Sequence, residues 1–549
     1  MTTLTTFNRE AAKRYLQSIV FVDDEIYTPE TGEPVHITPD IAPLKSPFVG
    51  GVPEPDAPKL ITPELNTPYH PRDLVESFAR EGMVCALYEP RSGFQSGVSS
   101  EIFKLCERAD VVILDWDLFF EDGKNILPLI ANLIIQSQNS IPHHSRLCVI
   151  YTGKPDLHRV VNAMYEHLHT HSGIAVSVPG PFILTAGATR VAVWGKPKSV
   201  GRTAESQAME VSENELAIRV IDEFAEMHKG LLASYALHGL ASVRRNTKRI
   251  LDKFNNGLDG VFLLHRAALL ANEDAFEHIP ELLAEEALAV MLDDQVTAEE
   301  SGSIANEVAS AINLRQLAWP GVSGWSLAQN QEVAKRFLGG GTAAIANEHE
   351  VKPISTKQFK QFHDAMDCGQ TQSEKQLAAL FNVRTRYVQK NPPHLELGTI
   401  VRWRQNESVS SSDYSLCLMP LCDSILRPYL AGKSMVFPFW QLSIVNAGQK
   451  GIGFVVQTGE DTYEHLIVSG KPREKLWLDN FTPGNSGTVN AFKENSSFCF
   501  VGTARRLEWV AQLKPAHAQR IALFIGQSFS RVGVFEAEWI RLMSESKDS

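Results

Sequence analysis

Short apolar runs alternate with amphipathic helical patterns over the first 200 residues. Each run is apolar for four or five positions, which favours a strand that is buried on both faces. Strands that alternate with helices are typical of a parallel sheet covered by helices on both sides. The predicted strands are Ser18–Val22, Val84–Tyr88, Val111–Leu114, Leu147–Tyr151 and Arg190–Trp194. The predicted helices are Pro71–Arg80, Ser99–Glu107, Lys124–Gln136 and Leu157–Leu168.

A proline-rich segment interrupts this pattern after the first strand. The stretch from Pro29 to Pro71 contains 11 of the 29 prolines in the chain. Proline breaks a helix and removes a hydrogen-bond donor from a central strand. We therefore expect residues 27–70 to form a long surface insertion, either as a docking arm or as an irregular loop.

The rest of the chain shows two further patterns. Apolar positions at helical spacing predict helices over Ala204–Phe254, with a break near Gly239, and over Asp274–Asp294. From about residue 393, short strands are separated by Gly, Pro, Asn and Ser turns. The strands predicted there are Gly398–Trp403, Tyr414–Leu418, Ser434–Trp440, Gly453–Gln457 and Ser497–Val501. The helices predicted to follow them are Pro515–Ser528 and Val534–Ser544.

These patterns predict three regions in a chain of 549 residues, which is too long for a single core. Residues 1–200 are predicted to form an α/β doubly wound parallel-sheet domain that carries the insertion 27–70. Residues 201–390 are predicted to be all-α. Residues 391–549 are predicted to form a β-rich α+β module.

Composition limits the function without defining it. The chain has 52 basic and 64 acidic residues, and this net charge of −12 disfavours binding of nucleic acid by bulk attraction. Its most apolar stretch, Ile126–Ile135, is about half as long as a membrane span, so we expect no membrane insertion. Seven cysteines without a CxxC pair are typical of a reduced, cytoplasmic protein.

Polar and charged residues follow four of the predicted strands. Asp23 and Asp24 follow the first strand, Asp115 the third, Thr152 the fourth and Lys196 the fifth. In a doubly wound sheet, ligands bind at the edge where the carboxyl ends of the strands meet. We therefore expect these five residues to lie close together.

Such a set of side chains suits phosphoryl transfer to an aspartate. Three neighbouring carboxylates repel one another, and Mg²⁺, which prefers oxygen ligands, relieves that repulsion. One carboxylate can then attack a phosphoryl group, because the metal neutralises the incoming oxygens. A hydroxyl and an ammonium group can hold the remaining phosphoryl oxygens.

The same positions resemble the receiver (CheY-like) domain of two-component response regulators. That family has an acidic pair after strand one and a phosphoacceptor aspartate after strand three, with a glycine eight residues later. It also has a Ser or Thr after strand four and Lys-Pro after strand five. The matching residues are Asp23–Asp24, Asp115 with Gly123, Thr152, and Lys196–Pro197.

The resemblance implies a role for each matched residue. Asp115 would accept the phosphoryl group, Thr152 would be the switch hydroxyl, and Lys196 would sense the phosphate. The implied cofactor is Mg²⁺, with ligands Asp23, Asp24, Asp115 and a backbone carbonyl of Asp117. Two positions depart from the family pattern. Phe119 replaces a common proline, and Val193 replaces the usual switch aromatic, with Trp194 next to it.

Other candidate sites favour structural roles. His167, His169 and His171 lack the Cys or carboxylate spacing that completes a zinc site. Cys417 and Cys422 are more typical of packing thiols than of metal ligands.

Residues Glu374–Lys390 faintly resemble the DNA-contacting half of a helix-turn-helix. Arg384, Arg386 and Lys390 would lie on its second segment. The usual turn glycine is absent and Asn382 occupies that region, so we favour an ordinary helical hairpin.

These observations predict an intracellular signalling protein whose Asp115 is phosphorylated by a histidine kinase. Residues 201–549 would contact other signalling proteins, and a homo-oligomer stays open. No enzyme activity is expected beyond phosphoryl acceptance and slow self-dephosphorylation.

The architecture also resembles receiver components of anti-phage defence systems such as Detocs, in which a receiver can act as a phosphate sink. Two alternatives remain, namely a DNA-binding transcriptional regulator and a receiver-controlled effector enzyme with a pocket near Asp413–Asp423 or Glu460–Glu464.

Overall fold

The structure is a computed structural model, and its described residues form two compact units. The first unit contains the described residues up to 251, with 286–311 and 335–341. The second contains the described residues of 252–285 and 327–334 and those from 371 onward. The described residues are 3–26, 71–138, 145–170, 174–268, 274–311, 327–341, 371–386, 392–403, 413–426, 433–445, 452–459, 462–484, 487–495, 497–529 and 543.

The first unit is built on a seven-stranded sheet. The strands follow the order β2-β1-β3-β4-β7-β6-β5, and the first five of these are parallel. Strands β5, β6 and β7 pair in an antiparallel manner at one side. Along the chain the elements are α1 (Leu4–Tyr15), β1 (Ser18–Val22), α2 (Pro71–Arg80), β2 (Val84–Tyr88), α3 (Glu101–Arg108), β3 (Val111–Leu114), α4 (Ile126–Gln138), β4 (Arg146–Thr152), α5 (Leu157–Thr170), β5 (Val176–Gly180), β6 (Ile183–Ala186), β7 (Thr189–Gly195), α6 (Ala204–Gln207) and α7 (Leu216–Met227).

Helices cover both faces of this sheet. Buried side chains of α3, α4 and α5 pack on one face, and those of α1, α2 and α7 pack on the other. Strands β3 and β4 are buried along their whole length, as expected for central parallel strands. The predicted doubly wound α/β fold is therefore confirmed. Because α7 begins at Leu216, the helical cover of the sheet continues past residue 200.

Two elements of the first unit were not predicted from the sequence. Helix α1 precedes the first strand and buries Phe7, Ala11 and Ala12 against the sheet. The hairpin of β5 and β6 precedes the strand that was predicted as the fifth, so that strand is the seventh along the chain. The insertion 27–70 lies outside the described residues.

The helical region begins with α8, and one predicted feature of it is wrong. Gly239 does not break a helix, because α8 runs through it and its backbone packs against the side chain of Met291. The break falls instead at Gly230, whose positive φ of 151° separates α7 from α8. The helices are α8 (Leu231–Lys253), α9 (Asp259–Ala268), α10 (Asp274–Asp293), α11 (Ala298–Ala311), α12 (Leu327–Gly340) and α13 (Thr371–Asn382).

The second unit contains an antiparallel sheet. Its strands follow the order β11-β12-β10-β9-β8-β16-β15-β14, and β13 pairs with β10. The predicted β-rich character is confirmed, although β12, β13, β14 and β16 were not predicted. The elements are β8 (Thr399–Trp403), β9 (Asp413–Cys417), β10 (Met435–Ile444), β11 (Ile452–Gln457), β12 (Tyr463–Val468), α14 (Pro472–Lys475), β13 (Leu476–Phe481), β14 (Phe492–Glu494), β15 (Ser497–Val501), β16 (Arg506–Gln512) and α15 (Pro515–Phe529).

The segment with the helix-turn-helix resemblance does not form a second helix where it is described. Helix α13 ends at Asn382, and Val383 then makes an antiparallel bridge with Leu513. The backbone N–H of Arg384 donates to the carbonyl of Gln512 at 2.8 Å. Residues 383–386 are not helical, which contradicts both the recognition helix and the helical hairpin over this stretch.

Three other predictions lie wholly or partly outside the described residues. They concern Lys390, His171 and the helix Val534–Ser544, of which only Met543 is described. Among the helices that the structure describes, none has the length and apolar character needed to cross a membrane.

Candidate functional site

The carboxyl ends of the parallel strands meet at one cleft of the first unit. Asp23 follows β1, Asp115 follows β3, Thr152 ends β4 and Lys196 follows β7. The strand register aligns these ends, with Val22 opposite Leu114 and Thr152 opposite Gly195. The cleft has a volume of about 180 Å³. Its lining consists of Asp24, Glu25, Asp115, Asp117, Phe120, Thr152, Gly153, Lys154, Pro155 and Lys196.

Three carboxylates form a tight cluster in this cleft. Carboxylate oxygens from Asp23, Asp24 and Asp115 all lie within 4.8 Å of one another. Asp23 is fully buried, Asp115 is 7% exposed and Asp24 is half-buried. Among the described residues, this cluster is the one group of three or more such side chains close enough to share a metal ion. The sequence therefore predicted which carboxylates come together.

Lys196 supplies a positive charge to the cluster. Its Nζ donates to Oδ2 of Asp23 at 3.0 Å and forms an ion pair with Oδ1 of Asp115 at 3.2 Å. The Oδ1 of Asp115 is buried, and this ion pair with Lys196 is its polar contact among the described residues.

The environment of the cluster shifts its acid–base equilibria. Burial raises the pKa of Asp115 to about 7, while the charge of Lys196 opposes the rise and that of Asp23 adds to it. Burial also raises the pKa of Asp24 and that of Glu25, and the neighbouring carboxylates add to both shifts. Burial alone would lower the pKa of Lys196, but Asp115 and Asp23 outweigh it and raise that pKa. The lysine therefore stays charged.

We predict that the metal-free protein loses stability as the pH rises through the raised pKa of Asp115. Folding holds a proton on Asp115 between the unfolded pKa of 3.8 and the folded value of about 7. The free energy of unfolding should therefore fall over this window and level off above it. Urea unfolding in a chelator at about pH 5.5 and about pH 8 measures the difference. Asp115→Asn should reduce that difference, and an unchanged pH slope in the variant would contradict this assignment.

Thr152 lines the cleft, as the sequence predicted, whereas the side chain of Asp117 makes its contacts outside the carboxylate cluster. The hydroxyl of Thr152 accepts a hydrogen bond from the N–H of Lys154 at 3.2 Å and lines the cleft. The side chain of Asp117 stays outside the carboxylate cluster, because it accepts from the N–H of Asp122 and forms a 2.7 Å ion pair with Lys154. The backbone carbonyl of Asp117 accepts from the N–H of Phe120 at 2.9 Å.

The loop after β3 has an unusual backbone conformation that donates a hydrogen bond to the carboxylate cluster. Phe119 and Phe120 both adopt positive φ angles, of 56° and 61°, which non-glycine residues rarely do. This conformation directs the N–H of Phe119 to Oδ2 of Asp24 at 2.7 Å. A proline at position 119 would have no N–H to donate, so the departure from the family pattern gives Asp24 an additional hydrogen bond.

Gly123 is required in the same loop for two reasons. It has a φ of 82°, and a Cβ there would lie 2.3 Å from the Trp116 ring. The Trp116 Nε1 donates to Asp122 at 2.9 Å, which fixes the indole in place. The Asp-Gly pair at positions 122 and 123 is therefore part of the packing behind the cluster.

Val193 and Trp194 lie on opposite faces of the sheet. Val193 packs in the core with α4 and α5, whereas the fully buried Trp194 packs with α7. Successive residues of a strand point to opposite faces, so Trp194 does not take the place of a switch aromatic at position 193.

Arg202 lies behind this site and was not singled out by the sequence, and neither was Lys154, which lines the cleft. Its guanidinium is fully buried and donates to the carbonyls of Thr152 and Lys196. No sequence motif marks it, because its partners are backbone atoms of residues that lie 6 and 50 positions away.

The two cysteines that were considered as metal ligands differ in burial. Cys417 is fully buried, and burial raises the pKa of its thiol to about 12. Cys422 is exposed. The prediction of buried packing thiols is therefore confirmed for Cys417 and is wrong for Cys422.

Comparison with known protein families matches the cleft-bearing unit to one family. Residues 15–201, about a third of the chain, match the family model of the response receiver domain. Searches of the curated proteins and of the solved structures found no match.

Proposed function

Residues 15–201 form a response receiver domain, and on this premise we propose that the protein accepts a phosphoryl group on Asp115 from a histidine kinase. The observation that carries the proposal is the convergence of three carboxylates, a hydroxyl and an ammonium group at one cleft. Asp23 and Asp24 each accept a hydrogen bond from a backbone N–H, of Glu25 and of Phe119, whereas the side chain of Asp115 is held by the ion pair with Lys196. We therefore assign the attack to Asp115.

The proposed step conserves atoms and charge. An Oδ of ionised Asp115 attacks the phosphorus of a phosphohistidine, and a new P–O bond forms as the P–N bond breaks. The electron pair of that bond goes to the imidazole nitrogen, which takes a proton from solvent. The product is an acyl phosphate on Asp115. Lys196, already 3.2 Å from Asp115, and the hydroxyl of Thr152 are positioned to bind the phosphoryl oxygens.

The residues present fit a Mg²⁺ ion as the cofactor. Oxygens of Asp23, Asp24 and Asp115 converge within 4.8 Å, and Mg²⁺ prefers such oxygen ligands. We assign a fourth ligand to the carbonyl of Asp117, which retains a second lone pair beside its bond from Phe120. When bound, the ion would neutralise negative charge on the incoming phosphoryl oxygens. Lys196 meanwhile holds Asp23 and Asp115 in place.

The proposal predicts one phosphoryl group per chain, acquired only with Mg²⁺. Incubation with acetyl phosphate and Mg²⁺ should add the mass of one phosphoryl group to the intact protein. Omission of Mg²⁺, or excess chelator, should prevent the gain, because the carboxylates would repel the donor. The adduct should be lost in hydroxylamine, which cleaves acyl phosphates but not phosphoserine. No adduct from acetyl phosphate or from an autophosphorylated histidine kinase would contradict the proposal.

We propose that the rest of the chain contacts other signalling proteins, and that the receiver acts as a phosphate sink in anti-phage signalling. The support is architectural, since the receiver domain covers about a third of the chain. A sink should draw phosphate from the kinase and thereby slow phosphorylation of a second receiver in the same reaction. Unchanged phosphorylation of that competing receiver would contradict the sink role.

No described feature favours the two alternatives. The segment that faintly resembles a recognition helix is not helical over residues 383–386. A cleft in the second unit, between Glu396 and Gln512, has a volume of about 30 Å³, roughly the space of one water molecule. We therefore do not carry forward the transcriptional regulator or the effector enzyme.

A further inference from the structure

A buried guanidinium joins the two loops that present Thr152 and Lys196. The Arg202 side chain has no exposed surface. Its Nη1 donates to the carbonyl of Lys196 at 2.6 Å, and its Nη2 donates to the carbonyl of Thr152 at 2.7 Å. Nη2 and Nε also reach the carbonyl of Lys154, at 3.2 and 3.3 Å. One side chain therefore binds three carbonyls from two separate strand ends.

Glu210 and Gly195 complete the environment of Arg202. The Oε1 of Glu210 accepts from Nη1 at 2.9 Å and balances the buried charge. The backbone of Gly195 pairs with residues 209–211, which brings Glu210 beside the end of β7. A Cβ at Gly195 would lie 2.2 Å from Nη1, so only glycine leaves room for the guanidinium.

We propose that Arg202 is a positioning residue that fixes Thr152 and Lys196 relative to each other for phosphoryl binding. The inference rests on the proposed function of Asp115. Arg202 contacts the loops after β4 and β7, whereas the carboxylates follow β1 and β3. Its loss therefore acts directly on the half of the cleft that binds phosphoryl oxygens, and it reaches the carboxylates only through Lys196, which pairs with Asp23 and Asp115.

A lysine cannot take over this role. Arginine presents five N–H donors in a rigid planar fork, whereas lysine carries a single flexible ammonium group. In Arg202→Lys the positive charge near Glu210 is kept, but the three carbonyls can no longer be held at once. The variant therefore removes the hold on the three carbonyls while it keeps the positive charge that balances Glu210.

The test compares Arg202→Lys with Arg146→Lys as a matched control. Arg146 is also buried and donates to two backbone carbonyls, those of Cys106 and Glu107, but it lies at the other end of β4. Affinities for Mg²⁺ alone and for beryllium fluoride in saturating Mg²⁺ are measured by calorimetry on the full chain. We expect Arg202→Lys to bind beryllium fluoride about tenfold more weakly, as for the loss of a charge-assisted bond, and to lose much less of its affinity for Mg²⁺. Arg146→Lys should bind both like the wild type.

Each outcome has one meaning. If the wild type does not bind beryllium fluoride, the proposed function fails. If the wild type binds it and both variants bind it equally well, the positioning role of Arg202 is wrong. An equal loss of Mg²⁺ affinity in Arg202→Lys would also overturn the role, because the effect would be a general loss of structure. If Arg202→Lys does not fold, Gly195→Ala takes its place, because the added Cβ displaces the guanidinium and keeps its charge. We expect Gly195→Ala also to lose more affinity for beryllium fluoride than for Mg²⁺.

Discussion

Asp115→Asn should reduce phosphoryl acceptance to background and leave the domain folded. The amide has no negatively charged oxygen to attack phosphorus, and the other two carboxylates of the cluster, Asp23 and Asp24, each accept a hydrogen bond from a backbone N–H. The change also removes one of three mutually repelling charges, while Lys196 keeps its bond to Asp23. We therefore expect the metal-free variant to be at least as stable as the wild type. Intact mass after acetyl phosphate treatment and urea unfolding measure the two effects.

Asp117→Asn is the matched control for this experiment. Asp117 lies two positions further along the same loop, but its side chain binds Lys154 and the N–H of Asp122 instead of the cluster. Its assigned part in metal binding uses the backbone carbonyl, which the substitution retains. Acceptance should persist in Asp117→Asn. Loss of acceptance in both variants alike would show that the phosphoacceptor was assigned incorrectly.

Lys196→Met should make the stability of the protein depend on Mg²⁺. Asp23 is fully buried and would lose its ion pair with Lys196, and Asp115 would lose the same partner. Removing one member of a buried ion pair typically costs about 3–5 kcal/mol. The proposed Mg²⁺ ligands are the carboxylates that the lysine had neutralised, so addition of Mg²⁺ should restore much of that loss. Urea unfolding with Mg²⁺ and with chelator measures both values.

Lys154→Met serves as the comparison for Lys196. Lys154 carries the same charge at the same cleft, but it is about a third exposed and pairs with the partly exposed Asp117. Such a pair is worth about 1 kcal/mol or less. Lys154→Met should therefore lower stability only slightly, with or without Mg²⁺. Equal losses in the two variants would contradict a specific role for Lys196 in the cluster.

The parallel sheet could be predicted from the sequence because its central strands are continuous apolar runs. Val111–Leu114 and the run around Cys148 are buried on both faces, and this pattern gives their positions directly. Helix α1 was missed because its sequence is mostly polar, and only a few residues such as Ala11 and Ala12 are buried. Strand β13 was missed because Asp479 suggests a turn. In the structure that carboxylate is buried and accepts backbone N–H groups from Ala504 and Arg505.

The site was predictable where its chemistry resides in side chains at strand ends. Asp23, Asp115, Thr152 and Lys196 each directly follow or end a strand, and Asp24 is the next residue after Asp23, so topology alone places the five together. The parts that were missed depend on backbone groups, whose directions a sequence does not specify. The bond from Phe119 to Asp24 requires a positive φ, and the partners of Arg202 are carbonyls. Such contacts can be identified only when the backbone conformation of the loops is known.

The central claim is that Asp115 carries the phosphoryl group, and chemical trapping tests it most directly. After phosphorylation of the wild type with acetyl phosphate and Mg²⁺, borohydride reduces an aspartyl phosphate to homoserine. Peptide mass spectrometry then identifies the modified position. We predict homoserine at position 115 and at no other aspartate. Homoserine at Asp23, Asp24 or Asp117, or none in a phosphorylated sample, would contradict the account.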